Sequence, residues 1–458
     1  MPEPCATVMS PGALQSIRDW TANAASAKTT AIADTVALTV HLVGTDGGTG
    51  FYSLSSLWKL ICKTNERFAP TGIYFQLQWP LHYIQNTLYY SHDFNTGYDM
   101  IQAESVPGTV NAFFVSQAGG ACGYFFGGTD AVVVANGCAG LNSTTLVHEL
   151  GHFFGLPHTF NGWEGGNVPP NPERVTRTGP FANCANAGDG FCDTEADFIH
   201  YRWPCPASAV RYDDLGARYR PDSSIYMSYS SDVCQSRFSS QQMGYMQYDL
   251  ANYRQDLLLY NPQPYHALDT PNVTYPVDTM WVNDRRVRWQ AVPGADRYHV
   301  VIKRTVSGLL MKDTLVSGTS LLTTHPVADY NRYTATVTPL ASSNVCASKA
   351  RAQTYTYSPI ANPLLSVGGA VAEDEGLRLY PNPAGAGGWT VQIPNAPRGP
   401  VQCTLFSVDG RMLRRVQAQS AGGSLSIQLP ADGLSDGVYF IRVEGTGAQW
   451  TTRAVLRK

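Results

Sequence analysis

The sequence predicts an α/β domain with a loop-rich second half, followed by two small all-β sandwich domains. Three observations carry that expectation. From about residue 36 to 155, strand-like and helix-like runs alternate; residues 160–224 are rich in Gly, Pro, Asn and Cys with little periodicity; beyond a proline-marked linker at 261–272, strand-and-turn patterns follow. At 458 residues the chain is also too long for one typical core, and its length suggests roughly three domains.

In order, VALTVHLV (36–43) reads as a strand and GTDGGTG behind it as a turn. No GK[ST] follows that glycine cluster, so a phosphate loop is not expected. SLSSLWKLICKTNERF (53–68) places apolar residues at helical spacing behind a Ser cap. IYFQLQW, VNAFFVSQ and AVVVAN are strands by their β-branched and aromatic content, and GYFFGG (123–128) a short strand at a sheet edge. A helix follows, opening at Asn142-Ser143-Thr144, where short polar side chains suit a cap; the Asn142 sequon is read as that cap rather than as a glycosylation site. SSQQMGYMQYDLANYRQDLL (239–258) reads as a closing helix. RRVRWQAVPGADRYHVVIKRT and YNRYTATVTPL are strand-and-turn sequences, SPIANPLLSVGGA is a second linker, and a further small β-domain begins near 376. The expected units are an N-terminal segment at 1–30, a main domain at 31–260, and β-domains at 265–357 and 372–458.

Composition excludes several function classes. Formal charge is −3, so no basic surface points to nucleic acid or an anionic membrane. Charged residues are 15% of the chain, against about 25% for an average soluble domain, which suits a β-rich extracytoplasmic protein. No apolar run is long enough to span a membrane. The opening MPEPCATVMSPGALQ lacks the features of a signal peptide, yet of ten cysteines eight lie before residue 235. Their spacing is not that of a structural zinc site, so disulfides and an exported protein, its targeting peptide outside this sequence, are expected; the alternative is a cytosolic chain with free thiols.

The chemistry concentrates in TTLVHELGHFFGLPHTF (144–160). On a helix, residues four apart share a face, so His148 and His152 direct their imidazoles at one point with Glu149 beside them. Gly155 suits the helix end and Pro157 forbids its continuation, so the chain turns and brings His158 back to the same point. Three neutral imidazoles and an open position suit a catalytic Zn²⁺, which lowers the pKa of its water to about 7. Glu149 is then placed to take that water's proton and pass it to the leaving amine. The alternative is a buried amphipathic helix with incidental histidines, which the third histidine in register argues against. None of the other seven histidines shows ligand spacing.

HELGHFFGLPH matches the extended zinc signature of the metzincin metallopeptidases, and the chain resembles them. The resemblance implies a twisted mixed sheet with helices above a loop-rich lower half, and a methionine turn beneath the metal. SIYMSYSSDVC (224–234) supplies the turn with Met227, and Tyr229 takes the position whose phenol steadies the tetrahedral intermediate. HTF after the third histidine, GDGFCDT (188–194), the Cys-Pro at Cys205, and a cysteine seven residues after Met227 make residues 30–258 resemble the pappalysins. Departures are Ile225-Tyr226 in place of the usual Asn-Tyr before the methionine, and Ser228 in place of Asp after it. The family implies a Cys205–Cys234 disulfide; Cys184–Cys192 and Cys122–Cys138 are paired by proximity. It implies calcium (Ca²⁺) near Asp189, Asp193 and Thr194, the alternative being a turn satisfied by its own backbone. It also implies that Asp232 lies in the pocket for the residue after the cut, hence cleavage before Arg or Lys. GYFFGGTDA is the candidate edge strand for an extended substrate. Some relatives silence the zymogen with a thiolate on zinc; Cys5 is a candidate, though PEPCATV lacks the Arg-Cys-Gly context and a disulfide with Cys62 is the competing expectation.

Residues 265–357 resemble a fibronectin type III domain, through Trp289 and AVPGADRYHV, and are expected to be a spacer or weak binder. The end of the chain resembles the C-terminal sorting domain of the Bacteroidetes type IX secretion route, through YPNPA, the VDGR turn and GVYFIRV. The expected function is therefore a secreted or cell-surface zinc endopeptidase acting on protein or peptide substrates and exported through its last domain. The competing classes are a non-catalytic surface adhesin built on the same domain and a hydrolase of non-peptide bonds; retention of Glu149 with all three histidines speaks against the adhesin.

Overall fold

The computed structural model describes residues 5–7, 9–23, 34–325, 331–346, 349–359, 377–407, 412–446 and 448–458. The VDGR turn and most of the second linker lie outside them.

The first domain is built on β1 (Asp34–Gly44). Its first half pairs in parallel with β2 (Ile73–Leu77), its second half with β3 (His82–Gln85), and its other edge with β4 (Val110–Val115). β4 pairs in parallel with β5 (Ala131–Ala135). Gly123–Phe125 closes that edge as the single antiparallel strand. Every residue of β1 from 36 to 44 is buried, the pattern of a parallel strand covered on both faces. The helix Leu54–Phe68 covers one face with Leu57, Trp58, Ile61 and Phe68. The histidine-bearing helix Thr145–Phe153 packs against the edge strand and β5. The closing helix Ser240–Tyr253 opens with a capping box between Ser239 and Gln242.

One of the expected caps differs, and the other comes from a single residue of the expected trio. Ser53 holds the N-cap position of the helix after β1 but makes no side-chain cap bond. At the histidine helix the capping hydroxyl is Ser143, whose Oγ accepts from the Thr145 amide at 3.1 Å. Thr144 holds the N-cap position, but its hydroxyl donates to Asp232 at 2.8 Å. Three helices, Pro11–Asn23, Thr87–Tyr90 and Phe94–Glu104, were not expected; the last is capped by Asp93, which accepts from the Thr96 amide.

Two further cores follow. One packs a three-stranded against a five-stranded sheet around Trp289, Tyr298 and Tyr355. The other packs a three-stranded against a four-stranded sheet around Trp389, Leu405 and Ile441. The first of these two units is docked on the first domain. Cys62 bonds Cys346, the Tyr74 hydroxyl donates to the Ser343 carbonyl at 2.6 Å, and Leu340 and Val345 enter the core of the first domain. This corrects the competing Cys5–Cys62 expectation: Cys62 faces the second unit, whereas Cys5 is a free thiol at the histidine cluster.

Candidate metal centre and substrate cleft

Gly155 has φ +82°, left-handed backbone that lets the chain reverse directly after the helix. The reversal carries His158 back beneath the helix. His152 Nε2 lies 3.1 Å from His148 Nε2 and 3.0 Å from His158 Nε2, so three ring nitrogens converge on one buried point. Each outer nitrogen faces an acceptor. His148 Nδ1 meets the Tyr226 carbonyl at 2.7 Å, His152 Nδ1 the Leu156 carbonyl at 2.7 Å, and His158 Nδ1 is 3.7 Å from Glu164 Oε1. Those partners favour the tautomer that leaves Nε2 bare at the centre. Burial lowers His148 to about 4 and both other imidazoles well below their ordinary value, so all three are neutral at neutral pH.

Met227 is fully buried directly below, and its sulfur fills the space a side chain on Gly151 would need. Tyr229 packs its ring 4.8 Å from that of His158 and donates its hydroxyl to the Cys5 carbonyl at 2.8 Å. Glu149 is fully buried; its Oε2 accepts from Cys5 Sγ and Thr7 Oγ1, both at 3.3 Å, and its Oε1 has no partner. Burial pushes its carboxyl up to about 8. The Cys5 sulfur joins the three histidines in one cluster, every ligand atom within 4.8 Å of the others, the one such group among the described residues. Burial, then the neighbouring Glu149, raises its thiol well above the usual range. Residues 6 and 7 lie along the edge strand, the Ala6 amide donating to the Gly123 carbonyl at 3.2 Å and the Phe125 amide to Thr7 Oγ1 at 2.8 Å.

Asp232 lines the small pocket beside His148, where it is paired with Arg202. Of the three calcium candidates, two meet: buried Asp189 accepts from Thr194 Oγ1 at 3.0 Å. Asp193 instead accepts from the Gln241 amide at 2.8 Å, at the start of the closing helix. Cys122–Cys138, Cys184–Cys192 and Cys205–Cys234 are disulfides. Sequence reasoning passed over Thr7, Glu164, Glu173, Asp197 and Arg202. Glu173 lies beside Asp189 and the others reach the centre or its pocket, all from segments without local pattern, so no short-range signal marks them.

A buried three-histidine centre on a parallel-rich sheet fits a metallopeptidase, and comparison with known proteins supports a secreted zinc metallopeptidase. Residues 126–251 match the peptidase family described as pregnancy-associated plasma protein-A, and residues 378–457 match the secretion system C-terminal sorting domain. The chain thus carries a pappalysin metallopeptidase domain and a type IX sorting domain, and its destination is extracellular. An extracellular metalloprotease of Colletotrichum graminicola is 28% identical over 228 residues, 45% of this chain and 71% of the relative. One of Pyricularia oryzae is 27% identical over 284 residues, 55% of this chain and 88% of the relative. Among solved structures, a Tannerella forsythia promirolysin mutant aligns over 57% of this chain and all of its own, at 15% identity and a TM-score of 0.40. No helix among the described residues is long and apolar enough to cross a membrane.

Proposed function

We propose that the chain is a zinc endopeptidase in a latent state, with His148, His152 and His158 as zinc ligands, Glu149 as general base and Cys5 as the group that silences it. The observation that carries this reading is the convergence of three Nε2 atoms and one thiol beside a buried carboxyl. The donor set fits zinc, which takes imidazole and thiolate together. Burial raises the Glu149 carboxyl, and burial with the neighbouring Glu149 raises the Cys5 thiol, so a dication is the charge that would stabilise a carboxylate and a thiolate there. Zinc held there supplies Lewis acidity toward the scissile carbonyl and makes water nucleophilic at neutral pH.

The remaining steps belong to the chain. Glu149 takes the attacking water's proton at its carboxylate and delivers it to the departing amine, so one peptide and one water give an acid and an amine. Tyr229, freed from the Cys5 carbonyl, offers its hydroxyl to the oxyanion. The edge strand Gly123–Phe125 pairs with the substrate along the line that residues 6 and 7 now follow. Asp232 in the pocket beside His148 supports cleavage before Arg or Lys. In the loop region, the unpartnered Asp189 Oδ2 and Glu173 Oε2, both buried, support a calcium ion near Asp189 and Thr194. Calcium should then raise the melting temperature of the wild type and not of Asp189→Asn; equal shifts would remove that ion from the account.

Latency gives the direct test. The full chain should cleave casein slowly, and Cys5→Ala at least about tenfold faster, since the substitution removes both the competing ligand and the Glu149 contact. A chelator should abolish both activities. Equal rates with and without Cys5 would overturn the latent reading.

A further inference from the structure

The pocket beside His148 is all but filled. Thr144, Thr145, Ser228 and Tyr229 enclose it with Asp232 and Arg202, and about 10 Å³ remains, too little for any side chain. Next to it runs a groove of about 650 Å³ along the Cys122–Cys138 disulfide, sharing Thr145, Arg202 and Asp232 with the pocket. The Arg202–Asp232 pair is therefore the partition between them, with Nη2 and Oδ1 2.7 Å apart.

Arg202 is fixed at its backbone, and its side chain is held by the pair with Asp232. The amide of its neighbour Trp203 donates to the Tyr229 carbonyl at 3.2 Å, and Cys205 ties the same loop to Cys234 beyond the methionine turn. The Arg202 side chain is 44% exposed, and Asp232 is its one ion-pair partner among the described residues. The Thr144 hydroxyl donates to the same oxygen, Oδ1, at 2.8 Å, an anchor for Asp232 that does not depend on the guanidinium. A part-exposed pair of this kind opens readily. With the pair closed, the pocket is full and its charge balanced; with Arg202 swung into the groove, it offers depth and a bare carboxylate.

We propose that Arg202 is a specificity-determining residue: its guanidinium occupies Asp232 in place of a substrate's basic side chain, so an incoming Arg or Lys must displace it. The inference rests on Asp232 being the pocket carboxylate. Its consequence is that the native enzyme prefers a basic residue after the cut less strongly than Asp232 alone would dictate.

The test uses the full chain carrying Cys5→Ala and two peptides that differ only in Arg or Leu after the cleaved bond. Adding Arg202→Ala should raise the Arg-to-Leu ratio of kcat/KM about tenfold, through KM for the Arg peptide. Arg202→Lys, which keeps a cation on Asp232, should retain most of the native ratio. Asp232→Asn should bring the ratio close to that of an uncharged pocket, whatever stands at 202. An unchanged ratio in Arg202→Ala, with Asp232→Asn still lowering it, would overturn the inference and leave the pocket reading intact. An unchanged ratio in Asp232→Asn would remove the pocket reading and the inference together. Matching zinc content among the variants excludes loss of fold as the cause.

Discussion

Asp197 illustrates how single side chains hold this centre together. Its carboxylate accepts from Thr159 Oγ1 at 2.7 Å, the Ile199 amide at 2.9 Å and Ser228 Oγ at 3.2 Å, joining the residue after His158 to the residue after Met227. Burial pushes its carboxyl up to about 6, above the ordinary value of about 3.9 in an unfolded chain. The folded state therefore binds this proton more tightly. The contribution to stability is fully present below pH 4 and is lost as pH rises through 6, up to about 3 kcal/mol. The stability of the wild type relative to Asp197→Asn, from urea unfolding, should fall between pH 4 and pH 7; a constant difference would show that the carboxyl does not titrate there. Residues of this kind also mark the limit of what a sequence reveals. His148, Glu149, His152 and His158 were legible because helical periodicity and a Gly–Pro turn fix their geometry locally. Asp197, Glu164, Thr7 and Arg202 were not, because contacts between distant loops bring them to the site.

The secondary-structure elements divide along the same line. β2, β4 and β5 fall within runs rich in β-branched and aromatic residues, β1 extends past its run (36–43) at both ends, and the histidine helix follows its apolar period. Phe94–Glu104 was missed because its polar first turn and internal glycine blur that period, while Asp93 and burial of Met100 and Ile101 stabilise it. The capping role of Ser143 could not be read either, since three adjacent short polar residues compete for it. The edge strand Gly123–Phe125 is where element and function meet, for its outer side is occupied by residues 6 and 7. Removing the residues before β1 should speed hydrogen exchange at the Phe125 amide, now bonded to Thr7, and a bound peptide inhibitor should slow it again. Unchanged exchange on removal would mean that the segment does not cover the edge.

At the scale of the whole molecule, chemistry and delivery are separate. The metal centre draws on segments from residue 5 to residue 235. The sorting domain contributes its own core around Trp389 and no residue of the centre. Between them, the middle β-unit is stitched to the first domain by Cys62–Cys346, a bond across 284 residues that cysteine spacing could not disclose. The all-β character of both later units was legible from their alternating strands, whereas their docking depends on surfaces that no local pattern encodes. All of this serves one centre, whose chemistry turns on a single carboxylate. The most direct measurement is zinc content alongside casein cleavage for Cys5→Ala with and without Glu149→Ala. The account predicts one zinc per chain in both and a loss of cleavage of at least about a hundredfold without Glu149. Undiminished cleavage by the Glu149→Ala chain would contradict it.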